Sequence, residues 1–198
     1  MSTANDNNTS ILISGVGGQG TLLASRIIGG VAIRDGCDVK VSEVHGMSQR
    51  GGSVTTFVRF GRGRVCSPVI DDGQADFVLA FELLEAYRSV SYLKPGGRIV
   101  VNNLAINPMP VITGEAAYPD GIIEKIRGFG FGADTLDASG IAKKAGSERA
   151  ANVALIGRLA PMLPFKKDSW VEVIKESVKP AFLELNLKAF ELGYGYDG

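Results

Sequence analysis

Hydrophobic and polar positions change their spacing along the chain and divide it into strand-like and helix-like segments. Short apolar runs and two-residue alternation predict six strands: Ile11–Ser14, Asp38–Val44, Ser53–Phe60, Asp76–Phe81, Arg98–Asn102 and Ala133–Asp137. The segments between and after them predict helices: Thr21–Arg34, Glu82–Leu93, Gly121–Gly128, Ala138–Ala145, Glu148–Leu163, Ser169–Ser177 and Pro180–Leu192. Strands that alternate with helices predict an α/β fold, a single Rossmann-like domain with a mainly parallel sheet flanked by helices.

Glycine and proline clusters predict where this alternation is interrupted. A Gly-Arg-Gly turn at 61–63 leads from the strand at 53–60 into a short run at 64–67, which predicts an inserted β-hairpin. The Lys-Pro-Gly-Gly sequence at 94–97 predicts a break before the next strand. Residues 102–119 contain three prolines and form the predicted irregular excursion.

The two ends of the chain carry opposite patterns. Residues 1–10 are polar and lack the charged and apolar regions of a signal peptide, so we expect a flexible N-terminus followed by one domain at 11–198. Near the other end, Phe182, Leu185, Ala189 and Leu192 share one helical stripe. With a second apolar stripe beside it, this pattern predicts a core helix, and a subunit-contact helix is the alternative.

A glycine-rich turn follows the first predicted strand. Gly15, Gly17 and Gly20 have the spacing that permits a tight turn, a close approach of ligand to backbone, and close packing of helix on strand. Unpaired amides at the start of the next helix favour an anion such as phosphate. Together with Gly18 and Gln19, these glycines form the first predicted cofactor-binding segment.

A polar loop between two strands is the second candidate. Histidine is the side chain whose ordinary pKa lies closest to neutral pH, so His45 is, with Gln49, a predicted assisting group. Arg50 can hold a carboxylate or phosphate through a fork of hydrogen bonds, and Gly51 and Gly52 leave backbone amides accessible. The loop therefore predicts anion binding by Arg50, Gly51 and Gly52, with no residue of this chain assigned direct catalysis. For His45, a purely structural role in the turn remains equally open.

Two carboxylates end predicted strands, at the edge where α/β sheets bind ligands. Glu43 occupies the region from which an acidic residue holds the ribose of a dinucleotide, so a stand-alone NAD(P)-binding oxidoreductase is one hypothesis. Glu82 opens a predicted helix, where it is expected to interact with the helix dipole, and a role in the crevice is the alternative.

Composition narrows the function classes. Lys and Arg together number 21, as do Asp and Glu, so the formal charge is zero and the basic surface of a nucleic-acid binder is not expected. The only cysteines, Cys37 and Cys66, have no C-x-x-C spacing and cannot hold a four-cysteine iron–sulfur cluster. Without a signal peptide or an apolar run that spans a bilayer, the chain is expected to be cytoplasmic, with no membrane partner.

The order of the motifs resembles a known family. The glycine turn at 15–20, the loop at 43–53 and the run at 76–82 resemble the gamma-type domain of 2-oxoacid:ferredoxin oxidoreductases. The His-Gly-Met-Ser-Gln-Arg-Gly-Gly sequence at 45–52 is most similar to the small (beta) subunit of the indolepyruvate branch. The resemblance covers nearly all of the chain after residue 10.

The resemblance implies a reaction and a partner. The reaction is coenzyme A-dependent oxidative decarboxylation of a 2-oxoacid to an acyl-CoA, with reduction of ferredoxin. The complex is expected to use thiamine diphosphate, magnesium, iron–sulfur clusters and coenzyme A, held mainly by a large partner subunit, while this chain alone binds none. It would then act as an accessory domain near the partner's active site. A non-catalytic scaffold is the third hypothesis.

Overall fold

The described residues, 8–45 and 52–196 of a computed structural model, contain one six-stranded sheet. Its strands are β1 Thr9–Val16, β2 Asp38–His45, β3 Ser53–Gly61, β4 Ala75–Ala80, β5 Leu93–Asn102 and β6 Gly132–Leu136. They lie in the order β2-β3-β1-β4-β5-β6. β1, β4, β5 and β6 pair in parallel, whereas β3 is antiparallel to both of its neighbours. The predicted α/β class with a mainly parallel sheet is confirmed.

Helices cover both faces of the sheet. Their bounds are α1 Thr21–Arg34, α2 Leu83–Arg88, α3 Met109–Ile112, α4 Ile122–Gly128, α5 Ala138–Ala145, α6 Ala151–Leu159, α7 Lys167–Ser177 and α8 Leu183–Tyr194. α1 and α5–α8 supply the larger core cluster, and α2 and α4 supply the smaller one on the opposite face. None of the described helices is both long enough and apolar enough to cross a membrane.

The two-residue period of β1 explains why both faces are covered. Ile11 and Ile13 lie in the larger cluster, and Leu12, between them, lies in the smaller one. All three side chains are fully buried. A strand buried on both faces is a continuous apolar run rather than an alternating one, as the sequence of β1 shows.

The predicted hairpin partner of β3 is wrong. Residues 64–67 form no strand, and β3 instead makes a hairpin with β2, in which Val54 faces His45 and Gly61 faces Asp38. The other side of β3 pairs with β1 along its whole length. Because β2 and β1 take up both hydrogen-bonding edges of β3, no edge is left for a further partner at 64–67.

Two predicted boundaries also shift. The helix predicted at 82–93 ends at Arg88, and β5 begins at Leu93, so the Lys-Pro-Gly-Gly sequence lies inside the strand. The register with β4 jumps from the Ala75–Leu93 pair to the Phe77–Arg98 pair, so these residues form a bulge. Residues 9 and 10 belong to β1 rather than to a flexible terminus, and residues 1–7 lie outside the described part.

The C-terminal helix α8 is a core helix, as predicted, but its buried face differs from the predicted stripe. Ala189 and Phe190 are fully buried, while Phe182 and Leu192 remain 49% and 39% exposed. The buried face lies between the two apolar stripes because α8 crosses α6 at a glycine contact. That contact leaves the outer residues of each stripe at the surface.

Candidate functional site

The carboxyl ends of β1, β4 and β5 meet at one backbone carbonyl, that of Phe81. Gln19 Nε2, from the turn after β1, and Asn102 Nδ2, at the end of β5, both donate to it, each at 3.3 Å. The Phe81 amide in turn donates to the Ser14 carbonyl at 2.8 Å. Three chain segments are thereby fixed to one another at the point where the strand order reverses, which is where open α/β sheets bind ligands.

The glycine turn has the predicted position between β1 and α1. Gly18 and Gly20 have left-handed backbones, with φ of 98° and 88°, and Gly20 is the N-cap of α1. A Cβ on Gly15 would lie 2.9 Å from Gln19 Oε1, and one on Gly20 would collide with the Asn152 amide. Both the turn conformation and the close approach therefore require glycine here.

Hydrogen bonds divide the residues of the glycine turn into those that hold its shape and those whose backbone amides are available to a ligand. The Gly17 amide donates to the Gly52 carbonyl at 3.0 Å, and Gln19 Oε1 accepts from the Val16 amide at 2.7 Å. Gly17 and Gln19 therefore hold the turn and its neighbours in place. Among the described residues, the amides of Gly18 and Gly20 make no hydrogen bond, so they are the groups of the turn that remain available to an anion.

The second predicted loop is described at its two ends. His45 is the last residue of β2, and nothing is described of its side chain; Gln49, Arg50 and Gly51 lie outside the described residues. Gly52, at the other end, is held by the Gly17 bond. The two predicted segments therefore meet at the same edge of the sheet.

A buried carboxylate that the sequence did not single out holds the end of that loop. Glu85 is 3% exposed, accepts a hydrogen bond from Ser53 Oγ and pairs with Arg88 Nη1 at 2.5 Å. Ser53 is the first residue of β3 and directly follows Gly52. Glu85 and Arg88 have the i, i+3 spacing of helix neighbours. This spacing is the local signal in the sequence from which the pair could have been predicted.

An open cleft of about 510 Å³ adjoins the glycine turn. Its wall near the turn contains Gly18, Gly20 and Phe81, and its far wall comes from the α5–α6 region. Ionic groups at the far wall are Arg149 and the pair Lys143–Glu148, whose atoms lie 2.6 Å apart. Glu148 raises the pKa of Lys143, so that ammonium stays charged. Because Glu148 neutralises Lys143, the cleft offers the backbone amides and one further cation, Arg149, for binding an anion.

Two buried asparagines hold the segments around this cleft together, and neither was predicted from the sequence. Asn102, 2% exposed, donates to Ser139 Oγ at 3.2 Å and accepts from the Ala138 amide at 3.0 Å, besides binding the Phe81 carbonyl. Asn152, 5% exposed, donates to the Gly20 carbonyl at 3.4 Å. An amide buried in an apolar helix was the one available signal for Asn152, because buried polar groups need partners.

The Glu43 carboxylate reaches the start of α1, directly after the glycine turn, and is bonded there within the chain. Its Oε2 accepts from Thr21 Oγ1 at 3.1 Å and Thr56 Oγ1 at 2.9 Å. β3 lies between β2 and β1, so the backbone of Glu43 is one strand farther, about 5 Å, from β1 than in a sheet where β2 pairs with β1. Glu43 therefore ties β2 and β3 to the first turn of α1.

Glu82 caps a helix, as its position before α2 predicts. Its Oε1 accepts from the Glu85 amide, and its Oε2 accepts from Tyr118 Oη at 3.0 Å and from the Ile106 amide at 3.4 Å. The residue is 1% exposed, so its carboxylate faces the protein interior. Burial, and next the Glu82 carboxylate, raise the pKa of Tyr118 well above its usual range.

The described residues contain no group of three or more His, Cys, Asp or Glu side chains that could hold a metal ion. Cys37 and Cys66 are free thiols, and burial raises the pKa of Cys37. Cys66 is exposed.

The fold and the site together define an α/β domain with a cleft at the carboxyl ends of β1, β4 and β5, where the order of the strands reverses. Groups that can bind an anion line the walls of this cleft. The family model described as pyruvate ferredoxin/flavodoxin oxidoreductase matches residues 10–196. The chain belongs to this family.

Relatives in two branches of the family align over nearly the whole chain. It is 44% identical over 188 residues to indolepyruvate oxidoreductase subunit IorB of Thermococcus kodakarensis, covering 92% of this chain and 93% of the relative. It is 28% identical over 183 residues to the pyruvate/ketoisovalerate oxidoreductases common subunit gamma of the same organism, covering 91% and 92%.

A solved structure confirms the fold. The gamma subunit of keto/oxoacid ferredoxin oxidoreductase from Geobacter sulfurreducens matches with a TM-score of 0.70 at 26% identity, over 94% of this chain and 96% of that one. The similarity therefore extends over essentially the full length of both proteins.

Proposed function

We propose that this chain is the small, gamma-type subunit of an indolepyruvate oxidoreductase and forms one wall of an active site whose cofactors are bound by a large partner subunit. The complex decarboxylates the 2-oxoacid, joins the remaining acyl group to coenzyme A and transfers the released electrons to ferredoxin. Thiamine diphosphate supplies the carbanion chemistry, and iron–sulfur clusters carry the electrons when these groups are bound.

The choice of substrate rests on sequence similarity. The chain is 44% identical to an indolepyruvate oxidoreductase subunit and 28% identical to a subunit shared by pyruvate and ketoisovalerate enzymes. The two alignments cover almost the same share of this chain, so the difference does not arise from coverage. An aromatic 2-oxoacid is therefore the favoured substrate class.

The observation that carries the accessory role is the bond between Gly17 and Gly52, which joins the glycine turn to the polar loop beside the open cleft. The free amides of Gly18 and Gly20 point to backbone contact with an anion, and the cleft adds Arg149. These groups bind and orient. We assign thiamine diphosphate, magnesium and the iron–sulfur clusters to the large subunit.

Within this surface we assign Arg50 to contact with an anionic group of coenzyme A or the 2-oxoacid, and His45 and Gln49 to its orientation. The guanidinium suits that task because it presents a planar fork to a carboxylate or phosphate. Its neighbour Gly51 has no side chain. Gly52, the described end of the segment, is held to Gly17 of the glycine turn, and the next residue of that turn, Gly18, lines the cleft.

The test is kinetic and uses the intact complex. The chain is co-expressed with the large subunit of the same organism, and ferredoxin reduction is followed with indolepyruvate and coenzyme A. Arg50→Ala should raise the KM for one of these anions about tenfold or more, because a charge-assisted hydrogen bond is lost. Arg62→Ala is the control, since Arg62 pairs with Asp35 at 2.6 Å at the opposite edge of the sheet.

The outcomes separate the hypotheses. Unchanged kinetics for Arg50→Ala would remove the anion contact while leaving the subunit assignment intact. Failure of the wild-type chain to form an active complex would overturn the subunit assignment. Fluorescence titration of the isolated chain with reduced nicotinamide should show no binding, because Glu43 Oε2 already accepts hydrogen bonds from the Thr21 and Thr56 hydroxyls within the chain.

A further inference from the structure

A short exposed projection leaves the sheet beside the cleft. We call residues 107–117 the knuckle; it contains the four-residue helix α3 and lies between β5 and α4. Met109 and Ile112, three positions apart on one helical face, are 66% and 65% exposed. Among the large hydrophobic side chains of the described residues, these two are the most exposed.

The knuckle is internally ordered. The Ile112 amide donates to the Pro108 carbonyl at 3.1 Å, Thr113 Oγ1 donates to the Met109 carbonyl at 3.1 Å, and the Glu115 amide donates to the Pro110 carbonyl at 2.8 Å. Pro108 and Pro110 further restrict the backbone. A preformed contact of this kind loses little conformational entropy when it binds.

A buried carboxylate holds both ends of the knuckle. Glu82 Oε2 accepts from the Ile106 amide at 3.4 Å on one side and from Tyr118 Oη at 3.0 Å on the other. The Leu83 amide also donates to the Leu104 carbonyl at 2.9 Å. The base is thereby fixed to the start of α2, and the apolar tip is held away from the core of this chain.

We propose that the knuckle inserts Met109 and Ile112 into an apolar recess on the large, thiamine diphosphate-binding subunit. This inference rests on the proposed function, which supplies that partner. Leu104, at the base of the knuckle, also lines the cleft beside the glycine turn. A body seated over the cleft and the two loops would therefore meet the knuckle on the same side.

The chemistry of the tip favours a protein recess over solvent or an ionic ligand. The knuckle has one charged residue, Glu115, and no lysine or arginine. Depletion of charge together with exposed methionine is typical of the centre of a protein interface. Two adjacent apolar side chains on a rigid support can be fully buried in a recess, and binding energy concentrates in such desolvated contacts.

The test compares two isoleucines of nearly equal exposure. Ile112→Asp alters the knuckle, and Ile33→Asp alters a residue that is 63% exposed near the end of α1, on the opposite edge of the sheet. Affinity for the purified large subunit is measured by biolayer interferometry. Thermal unfolding of each isolated chain checks that both variants fold.

Ile112→Asp should weaken the complex about tenfold or more, while Ile33→Asp should stay within about twofold of the wild type. Equal affinity of Ile112→Asp and wild type, or equal weakening by both variants, would overturn the knuckle assignment. If the wild-type chain does not bind the large subunit, the proposed function fails, and the knuckle assignment fails with it. If the isolated chain dimerises and only Ile112→Asp abolishes the dimer, the occupant is a second copy, which also overturns the assignment.

Discussion

Glycines at the carboxyl edge of the sheet and glycines in the helical layer are required for opposite reasons. At the edge, Gly18 adopts a left-handed backbone, with φ of 98°, and nothing lies within 4 Å of the position that a Cβ would take. In the helical layer, Gly193 has an ordinary helical backbone, and what excludes a side chain is the Ala154 carbonyl of α6 pressed against it. The first position constrains conformation, and the second constrains space.

This difference shows how a glycine-rich chain can mislead a search for a binding site. The chain has 26 glycines, and those at 157 and 193 let α6 and α8 approach closely without any ligand being involved. A glycine signals a site only where the backbone also turns beside an open cleft. Gly18 and Gly20 meet that condition because both have positive φ and line the cleft.

The largest effect is expected in the helical layer. Gly193→Ala places a Cβ against the Ala154 carbonyl, and because both atoms belong to packed helices, neither moves easily. We expect a loss of about 3 kcal/mol in the free energy of unfolding, typical of severe overpacking. Urea unfolding measures it. Gly195→Ala is the control, since its nearest neighbour would be the Glu191 carbonyl at 3.6 Å, and it should change stability by about 0.5 kcal/mol or less.

A smaller effect is expected at the edge. Gly20→Ala combines the strain of a left-handed backbone with contact against Asn152 Nδ2, for a loss of about 2 kcal/mol. Gly18→Ala, with φ of 98° and open space around its Cβ, should lose about 1 kcal/mol from strain alone. Equal losses in the two variants, measured by the same urea unfolding, would show that Asn152 simply moves aside.

Local signals in the sequence explain which elements were predicted. The bounds of α1 and α5 agree with the prediction because each begins at a residue that defines its start locally: Gly20 for α1 and Asp137, which accepts from the Gly140 amide, for α5. The position of Glu82 at the start of a helix was predicted for the same reason, and the structure places it one residue earlier than predicted, as the N-cap of α2.

Strand pairing and contacts between residues far apart in the sequence explain which features were not predicted. The two-residue period of β3 identified a strand but not its partners, because alternation fixes which face is buried and not which edge is paired. The Asn152–Gly20 bond joins residues 132 positions apart, and Glu82 binds Tyr118 across 36 positions. No local pattern encodes such contacts, so the bonds that hold the cleft and the base of the knuckle could be identified only from the structure.

The smallest effect concerns one of these long-range contacts, the bond between Tyr118 and Glu82. Tyr118→Phe removes the hydroxyl that donates to Glu82 and accepts from the Leu84 amide, and it should cost about 1 kcal/mol at neutral pH. Because the pKa of Tyr118 is raised in the folded chain, the unfolded chain loses this proton first as the pH rises. Stability from Tyr118 is therefore fully present below about pH 10 and declines above it. Urea unfolding at about pH 9 and about pH 11 should show a steeper decline for wild type than for Tyr118→Phe, whereas parallel declines would mean that the Tyr118–Glu82 contact does not govern this titration.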